Sequence, residues 1–173
     1  MVIDMEETEL FRNIEALLFV SGEPVLIDDL KRALFLTDLE MQAFMERMKE
    51  RYEKEDRGIR LFITDKSLQL VTNPECASFI ERFYHPPKEK TLSQSLMETM
   101  ALIAYKQPIT RAEIEAIRGV RSEYAVSTLL KQGFIRELGR RNAAGHPVEL
   151  GTTDAFLRLF GLRSLNDLPS EAE

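Results

Sequence analysis

The sequence has one cysteine, two histidines and no run of apolar residues long enough to span a membrane. A single cysteine, Cys76, excludes a disulfide framework and a CxxC metal site within the chain. A transmembrane helix needs roughly 18 consecutive apolar residues. The acidic start MVIDMEETEL also differs from the basic start of a secretory signal. Together, these absences predict a cytoplasmic protein.

Motifs of the common catalytic and cofactor sites are also missing. The chain has no glycine-rich phosphate loop, no GxSxG turn and no HExxH motif. A histidine metal site or a Ser/His pair would need His85 or His146, and both lie beside proline in predicted loops. Acidic residues are frequent, but they fall mostly on the polar faces of predicted helices. We therefore expect no enzyme activity, no metal and no cofactor.

The net charge of −6 is unevenly distributed along the chain. Residues 1–84 contain 11 Lys and Arg against 18 Asp and Glu, whereas residues 85–173 contain 12 against 11. Proteins that hold DNA through phosphate contacts usually have a cationic face, because displaced counterions supply much of the affinity. Neither half has the excess of positive charge that this mode of binding favours.

One pattern occurs twice in the chain, in residues 14–30 and again in residues 100–114. Aligning Pro24 with Pro108 sets an offset of 84 between the copies. The last predicted strands of the copies align at an offset of 80, with Leu70 over Leu150. A repeat of about 80 residues is long enough for a small domain with its own core. The sequence therefore predicts two related domains in tandem.

Each copy is predicted to contain three helices followed by two strands. The first helix has apolar residues at helical spacing and ends before the proline turn. Capping boxes, Thr37 with Glu40 and Thr110 with Glu113, predict two further helix starts. In the first copy Leu26 replaces the capping threonine, so we expect that helix to have a looser start or to begin at Asp28 instead.

The remaining elements complete the predicted fold. Ser122 is predicted to cap the third helix of the second copy, which should place Val126 and Leu129 inside. Strand pairs are predicted near 59–72 and 134–152, and each is followed by a short helix that packs back over the sheet. In the first of these short helices, Phe79 and Phe83 are expected to point inward. Leu17 of the first helix is also expected inside.

This order of elements predicts an α+β, mostly helical fold with two winged-helix domains in tandem. We assign the first domain to residues 1–84, a proline-rich linker to 85–91, and the second domain with a short tail to 92–173. The two prolines of the linker should make it semi-rigid.

Two groups of residues in the second copy are candidates for binding. Tyr105 and Gln107 lie where a helix ends before Pro108. Tyr105 is either a core residue with its hydroxyl at the rim or a contact for a partner peptide. The sequence also clusters arginines on or beside the second helix and at the wing tip: Arg111, Arg118, Arg121, Arg140 and Arg141. They form a solvated face, a surface for an acidic protein, or a set of phosphate contacts.

Several motifs give the chain a specific family resemblance. The segment MALIAYKQPITRAEIEAIRGV ends at Val120, and GFIRELGRRNAAGHPVELGTTDAF ends at Phe156. With IEALLFVSGEPV near the start, they resemble the bacterial segregation and condensation protein B (ScpB) family over residues 14–169.

The resemblance implies a non-catalytic accessory subunit of the SMC condensin complex, with a role in chromosome condensation and segregation. It implies a homodimer formed through the first domain, for which we expect exposed apolar contacts at Leu10, Phe11 and Phe35. It also implies that the kleisin ScpA binds the second domain and links it to the SMC ATPase. The protein would then be nucleoid-associated, with DNA contacted only indirectly or weakly and no membrane contact.

Residues expected to contact the kleisin are those of the matched motif that carry polar or aromatic side chains: Tyr105, Gln107, Arg111, Arg118 and Arg140. The competing hypothesis is a winged-helix DNA-binding transcriptional regulator, because many winged helices read the major groove with the third helix. In the second copy that helix offers only Lys131 as a cation and carries Glu123 near its start. The charges therefore favour recognition of a protein.

Overall fold

The computed structural model describes residues 7–54, 56–84 and 92–170. The chain divides into two compact units, Met1–Lys88 and Glu89–Glu173. The predicted linker at 85–91 lies outside the described residues.

In the first unit, three helices are followed by a β-hairpin and a short last helix. Its elements are α1 (Glu7–Ser21), β1 (Val25–Leu26), α2 (Ile27–Leu34), α3 (Asp38–Glu53), β2 (Ile59–Ile63), β3 (Ser67–Thr72), a 3₁₀ turn (Pro74–Cys76) and α4 (Ala77–Tyr84). Asn73 caps the 3₁₀ turn by accepting a hydrogen bond from the backbone of Glu75, as the Asn-Pro pair predicts.

The second unit repeats this order. Its elements are α5 (Gln94–Lys106), β4 (Ile109–Thr110), α6 (Arg111–Arg118), α7 (Glu123–Lys131), β5 (Ile135–Arg140), β6 (Val148–Thr152), α8 (Asp154–Phe160) and a 3₁₀ turn (Leu165–Asp167). A helix, a short strand, two helices and a β-hairpin make a winged helix. The predicted α+β fold with two winged-helix domains is therefore confirmed.

In each unit the three strands form an antiparallel sheet, in the orders β1-β3-β2 and β4-β6-β5. Val25 lies opposite Leu68, and Ile109 lies opposite Leu150. Leu68 and Leu150 therefore hold equivalent positions, and both are buried. The sequence alignment placed Leu70 over Leu150, which agrees instead with the hairpins, where Thr72 lies opposite Ile59 and Thr152 opposite Ile135. The two pairings differ by two residues. A shift of two residues keeps the same face of a strand, so the apolar pattern alone could not detect it.

Local sequence signals set most of the helix starts. Thr37 with Glu40 and Thr110 with Glu113 form the predicted capping boxes of α3 and α6. Gly119 ends α6 in the left-handed conformation, with a φ of 68° that glycine adopts without steric cost.

The start of α2 follows a different rule. Leu26 provides no side-chain cap, as predicted, and α2 begins at Ile27, one residue before Asp28. The Ile27 N–H donates to the carbonyl oxygen of Lys66 at 2.9 Å. Pairing with the β-hairpin therefore satisfies this backbone donor, which a capping hydroxyl would not have reached.

Each unit has a separate hydrophobic core. In the first unit the buried apolar residues are Ile14, Leu18, Leu30, Met41, Phe44, Met48, Tyr52 and Leu68. In the second they include Met100, Ile103, Ile109, Ile114, Val126, Leu129, Ile135 and Leu150. The predicted inward residues of α7, Val126 and Leu129, are thus confirmed. Leu17, expected inside, is instead 46% exposed.

The last helices of the two units differ in what they bury. Helix α8 contributes Phe156 and Leu157 to the core of the second unit. Helix α4 has no buried residue, and Phe79 and Phe83 are exposed. The prediction that these two phenylalanines point inward was wrong. Helical spacing shows that residues share a face, but not that the same chain covers that face.

Candidate partner-binding surfaces

A charged cluster in the second unit ties the loop between β5 and β6 to the start of α6. Arg141 donates from Nη1 to Glu113 and from Nε to Glu149, both at 2.7 Å. Its Nη2 also donates to the carbonyl oxygen of Pro108 at 3.3 Å. The hydrogen bonds to Glu113 and then to Glu149 raise the pKa of Arg141 above its usual range. Arg141 is therefore engaged within its own unit.

Glu113 is fixed from two sides by this cluster. Its Oε1 accepts from Arg141, and its Oε2 accepts from the backbone N–H and the hydroxyl of Thr110, both at 2.8 Å. The hydrogen bond from Arg141, followed by those from Thr110, lowers the pKa of Glu113 to about 2. The carboxylate stays ionised at neutral pH and serves as a structural anchor.

Arg118 points into the second unit. Its side chain is only 11% exposed and forms a 2.9 Å ion pair with Glu98. The guanidinium also donates to the hydroxyls of Thr99, Ser95 and Ser122, at 2.9, 3.2 and 3.4 Å. We expected Arg118 to be exposed and the Ser122 side chain to cap α7, and both expectations were wrong. Ser122 sits at the cap position of α7 without a capping bond, and Arg118 donates to its hydroxyl.

Three arginines of the cluster remain on the surface. Arg111 is 56% exposed, with Nη1 at 3.7 Å from Oε1 of Glu123. Arg140 is exposed and donates to the carbonyl oxygen of His146 at 3.1 Å. Arg121 is exposed and has no salt-bridge partner within residues 7–54, 56–84 and 92–170. These three are the most accessible of the five; Arg118 is only 11% exposed, and Arg141 is 35% exposed but bonded to two carboxylates.

Tyr105 and Gln107 both bond within the second unit. The Tyr105 hydroxyl donates to the carbonyl oxygen of Pro169 at 2.9 Å, while 38% of the residue is exposed. The Gln107 side chain accepts from the backbone N–H of Thr152 at 2.9 Å and donates to the Ala104 carbonyl at 3.0 Å. Gln107 thus joins the end of α5 to β6, and Tyr105 offers only part of its ring to a partner.

An apolar surface lies beside the exposed arginines. It consists of Ile117 near the end of α6, Val120 in the turn, and Tyr124 in the first turn of α7, all more than half exposed. We call these three residues the α6–α7 patch. The sequence analysis did not find it, because Ile117 lies only three residues from the buried Ile114 and shares its helical spacing. Exposed aromatic and aliphatic residues next to arginine are typical of protein interfaces.

The apolar residues predicted for dimerisation differ in exposure. Leu10 and Phe11 are partly buried against the core of the first unit. The Phe11 ring lies 4.8 Å from that of Phe44, and the Arg51 guanidinium lies over its face. Phe35, at the left-handed end of α2, is 65% exposed. Only Phe35 is therefore as accessible as expected, and the role of all three in dimerisation stays a prediction.

Metal-binding clusters and membrane-spanning helices are both missing from the described part of the chain. No group of three or more His, Cys, Asp or Glu side chains is placed there to hold a metal ion. Its helices also include none with the length and apolar character needed to cross a membrane.

Comparison with known proteins shows which family the whole chain resembles. The family model of the segregation and condensation complex subunit ScpB matches residues 12–171. The chain is 43% identical over 170 residues to segregation and condensation protein B of Clostridium tetani, covering 97% of this chain and 90% of that protein. It is 44% identical over 156 residues to the protein of that name from Carboxydothermus hydrogenoformans, covering 90% and 84%.

A solved structure gives a further likeness. ScpB from Mycobacterium tuberculosis is 33% identical, and the match covers 92% of this chain and 99% of that chain with a TM-score of 0.44. The family model and the curated relatives each span nearly the whole sequence. The resemblance based on the sequence motifs is therefore confirmed. The chain belongs to the ScpB family of segregation and condensation complex subunits.

Proposed function

We propose that this chain is a non-catalytic adaptor of the SMC condensin complex that dimerises and binds the kleisin ScpA. Through ScpA it joins the SMC ATPase, and the assembly acts in chromosome condensation and segregation at the nucleoid. Membership of the ScpB family supports the general role. The surface of the second unit supports a protein partner in particular.

The observation that carries this proposal is that two arginines of the cluster form ion pairs within their own unit. Arg118 and Arg141 are bonded to carboxylates within the unit, so their charges are already neutralised by this chain. The adjoining α6–α7 patch instead exposes apolar side chains, with Tyr124 79% exposed. Burying an exposed aromatic ring against a partner stabilises a complex by removing apolar area from water. An extended, partly apolar protein segment fits this surface better than a polyanion.

The exposed arginines define the chemistry of the segment that would bind here. Arg121 has no salt-bridge partner in the described part of the chain, and Arg111 has only a 3.7 Å contact with Glu123. In a complex these cations would lie at the edge of the buried apolar contact, where opposite charges improve specificity and the association rate. We therefore assign the patch to a ScpA segment that combines apolar residues with acidic ones. The same ScpA segment would also contact Tyr105 and Arg140, which are accessible on the surface.

A DNA-binding regulator is the competing function. The third helix of a DNA-reading winged helix presents cations and hydrogen-bond donors to the major groove. Here α7 presents Glu123 and Tyr124 at its exposed start. This surface opposes contact with phosphates and supports the protein-binding proposal.

Titration of purified ScpA into the protein tests the proposal. Tyr124→Ala should weaken ScpA binding at least about 10-fold, since exposed aromatic anchors commonly carry more than 1 kcal/mol of interface energy. Leu159→Ala, which truncates a 48% exposed side chain on α8, is the matched control and should bind ScpA as the unaltered chain does. Equal ScpA affinity for both variants would exclude the α6–α7 patch. Absence of ScpA binding by the unaltered chain at micromolar concentration would contradict the whole proposal.

A further inference from the structure

The turn between α6 and α7, residues 119–122, carries part of the surface proposed for ScpA. Val120 of the α6–α7 patch and Arg121 both lie in this turn and are exposed. Ser122, which ends the turn, is only 1% exposed. The turn also leads directly into Tyr124 in the first turn of α7. The positions of these exposed side chains therefore depend on how the backbone of the turn is held.

In the first unit, the corresponding turn between α2 and α3 is held by a capping box. The backbone N–H of Thr37, the residue before α3, donates to Oε2 of Glu40 at 2.8 Å. The Thr37 hydroxyl accepts in return from the backbone N–H of Glu40 at 3.3 Å. The first residues of α3 thus satisfy the backbone donor at the start of their own helix.

The second unit satisfies the same backbone donor from a different helix. The third residue of α7 is Ala125, which has no carboxylate and is 3% exposed. The Ser122 side chain makes no capping bond to α7. The backbone N–H of Ser122 donates instead to Oε1 of Glu115 on α6, at 2.9 Å. Glu115 therefore does for α7 what Glu40 does for α3, but it does so from the preceding helix.

Burial makes the contact between Glu115 and Ser122 important for the turn. A buried N–H that loses its acceptor is left unpaired, because water cannot replace the lost hydrogen bond. The Ser122 hydroxyl also accepts from Arg118 and donates to the carbonyl oxygen of Val120, but both of these contacts are 3.4 Å long. Among the described residues, Glu115 thus forms the shortest hydrogen bond between a side chain and Ser122.

We propose that Glu115 is a positioning residue for ScpA binding, which acts through the backbone of the turn. This role rests on the proposed binding of ScpA at the α6–α7 patch. The hydrogen bond from Ser122 to Glu115 ties the start of α7 to α6, so that Ile117 on α6 and Tyr124 on α7 keep one arrangement before ScpA arrives. A surface arranged in advance binds more tightly, because less conformational freedom is lost in the complex.

Charge and position predict opposite results when Glu115 is replaced. The exposed arginines indicate an acidic ScpA segment, so removal of a nearby carboxylate would by itself strengthen binding. Loss of the acceptor for the Ser122 N–H would weaken binding, because the turn is released. Glu115→Gln removes the charge and keeps an acceptor oxygen, whereas Glu115→Ala removes both. The two substitutions therefore separate the effect of charge from the effect of position.

Titration of ScpA into the two variants tests the role of Glu115. Glu115→Ala should weaken ScpA binding about 10-fold, because the buried N–H of Ser122 loses its acceptor and the patch loses its fixed arrangement. Glu115→Gln should bind ScpA at least as tightly as the unaltered chain. Equal affinity of Glu115→Ala and the unaltered chain, or equal losses in the two variants, would overturn the proposal.

A control variant separates this effect from a general loss of stability. Leu157→Ala truncates a 4% exposed core residue on α8, outside the patch, and should destabilise the second unit by leaving a cavity. At a temperature where circular dichroism shows every variant to be folded, it should bind ScpA as the unaltered chain does. A loss of affinity in Leu157→Ala as large as that in Glu115→Ala would show that stability alone controls binding, and would contradict the positioning role.

A double-mutant cycle with Tyr124 tests whether Glu115 acts through the patch. When Tyr124→Ala is already present, Glu115→Ala should weaken ScpA binding by less than about 3-fold more, because the ring that the turn positions is gone. A further loss of the full about 10-fold would mean that the two residues act independently, contrary to the proposal.

Hydrogen exchange of single amides tests the contact in the absence of ScpA. The Ser122 amide should exchange at least about 10-fold faster in Glu115→Ala than in the unaltered chain, whereas the Leu129 amide in α7 should be unaffected. Equal acceleration at both amides would place the effect in the whole unit and not in the turn, and would overturn the proposal.

The outcomes distinguish the role of Glu115 from ScpA binding itself. A chain that does not bind ScpA contradicts both. If Tyr124→Ala weakens ScpA binding and Glu115→Ala leaves it unchanged, only the positioning role of Glu115 is contradicted.

Discussion

Arg118, the last residue of α6, donates a hydrogen bond to the hydroxyl of Thr99 in the middle of α5, 2.9 Å away. Thr99 is fully buried, and its hydroxyl donates in turn to the backbone of Ser95 at 2.8 Å. The contact fastens α6 to α5. Arg118 therefore stabilises the helices that carry the proposed ScpA surface, and it does not form that surface itself.

Substitution of Arg118 tests this structural role. Arg118→Ala should lower the free energy of unfolding by about 2 kcal/mol, because several hydrogen bonds to a largely buried charged group are lost. Arg111→Ala removes the same charge from the surface and should change it by less than about 0.5 kcal/mol. Urea denaturation measures both values. Equal losses of stability would place Arg118 on the surface, contrary to the structure.

Gly151 is predicted to be intolerant of a side chain. A Cβ there would lie 2.7 Å from Oε1 of Gln107 and 2.8 Å from Cδ1 of Leu138. Because Oε1 is held by the backbone N–H of Thr152, Gly151→Ala should cost about 1 to 2 kcal/mol of stability. At Gly58 a Cβ would meet only the Cys76 sulfur, at 3.9 Å, so Gly58→Ala is the control and should fold as stably as the unaltered chain. A larger loss at Gly58 would refute this account.

The pKa of Glu113 predicts how the second unit responds to acid. Its folded pKa of about 2 lies below the ordinary 4.5, so its stabilising contribution is complete above pH 4.5 and is lost as the pH falls toward 2. Glu113→Gln keeps an amide oxygen for the capping box but removes the charge that pairs with Arg141. Thermal midpoints should therefore fall more steeply in this interval for the unaltered chain than for the variant. Parallel curves would show that the ion pair contributes nothing.

DNA binding should be weak or absent. With Arg118 and Arg141 paired internally, we expect no binding of random duplex at about 10 µM protein and about 150 mM salt. Fluorescence anisotropy over a salt series measures this. Tight binding with a steep dependence on salt would instead favour the DNA-binding regulator.

The local parts of the fold could be predicted from the sequence. The capping box of Thr110 and Glu113, and the glycine stop at Gly119, depend on residues within one turn of each other. The order of helices and strands, repeated in both copies, then predicted the two winged-helix domains. The strand alignment agrees with the hairpins but differs by two residues from the pairing with β1 and β4, because such a shift leaves the apolar alternation unchanged.

The candidate sites were harder to predict, because exposure depends on distant parts of the chain. Arg118 and Arg111 look alike in the sequence, yet only Arg118 meets Glu98 and Thr99 on α5. Phe79 and Phe83 have the spacing of core residues, but no described residue of their unit covers them. Sequence periodicity identifies a face and does not identify the molecule that buries it.

The mass of the complex with ScpA, measured by light scattering after size-exclusion chromatography, tests the central claim most directly. A two-fold dimer that binds one extended kleisin predicts a complex of two copies of this chain with one ScpA. Separate elution of the two proteins at micromolar concentration, with this chain at 19.9 kDa, would contradict both the dimer and the adaptor role.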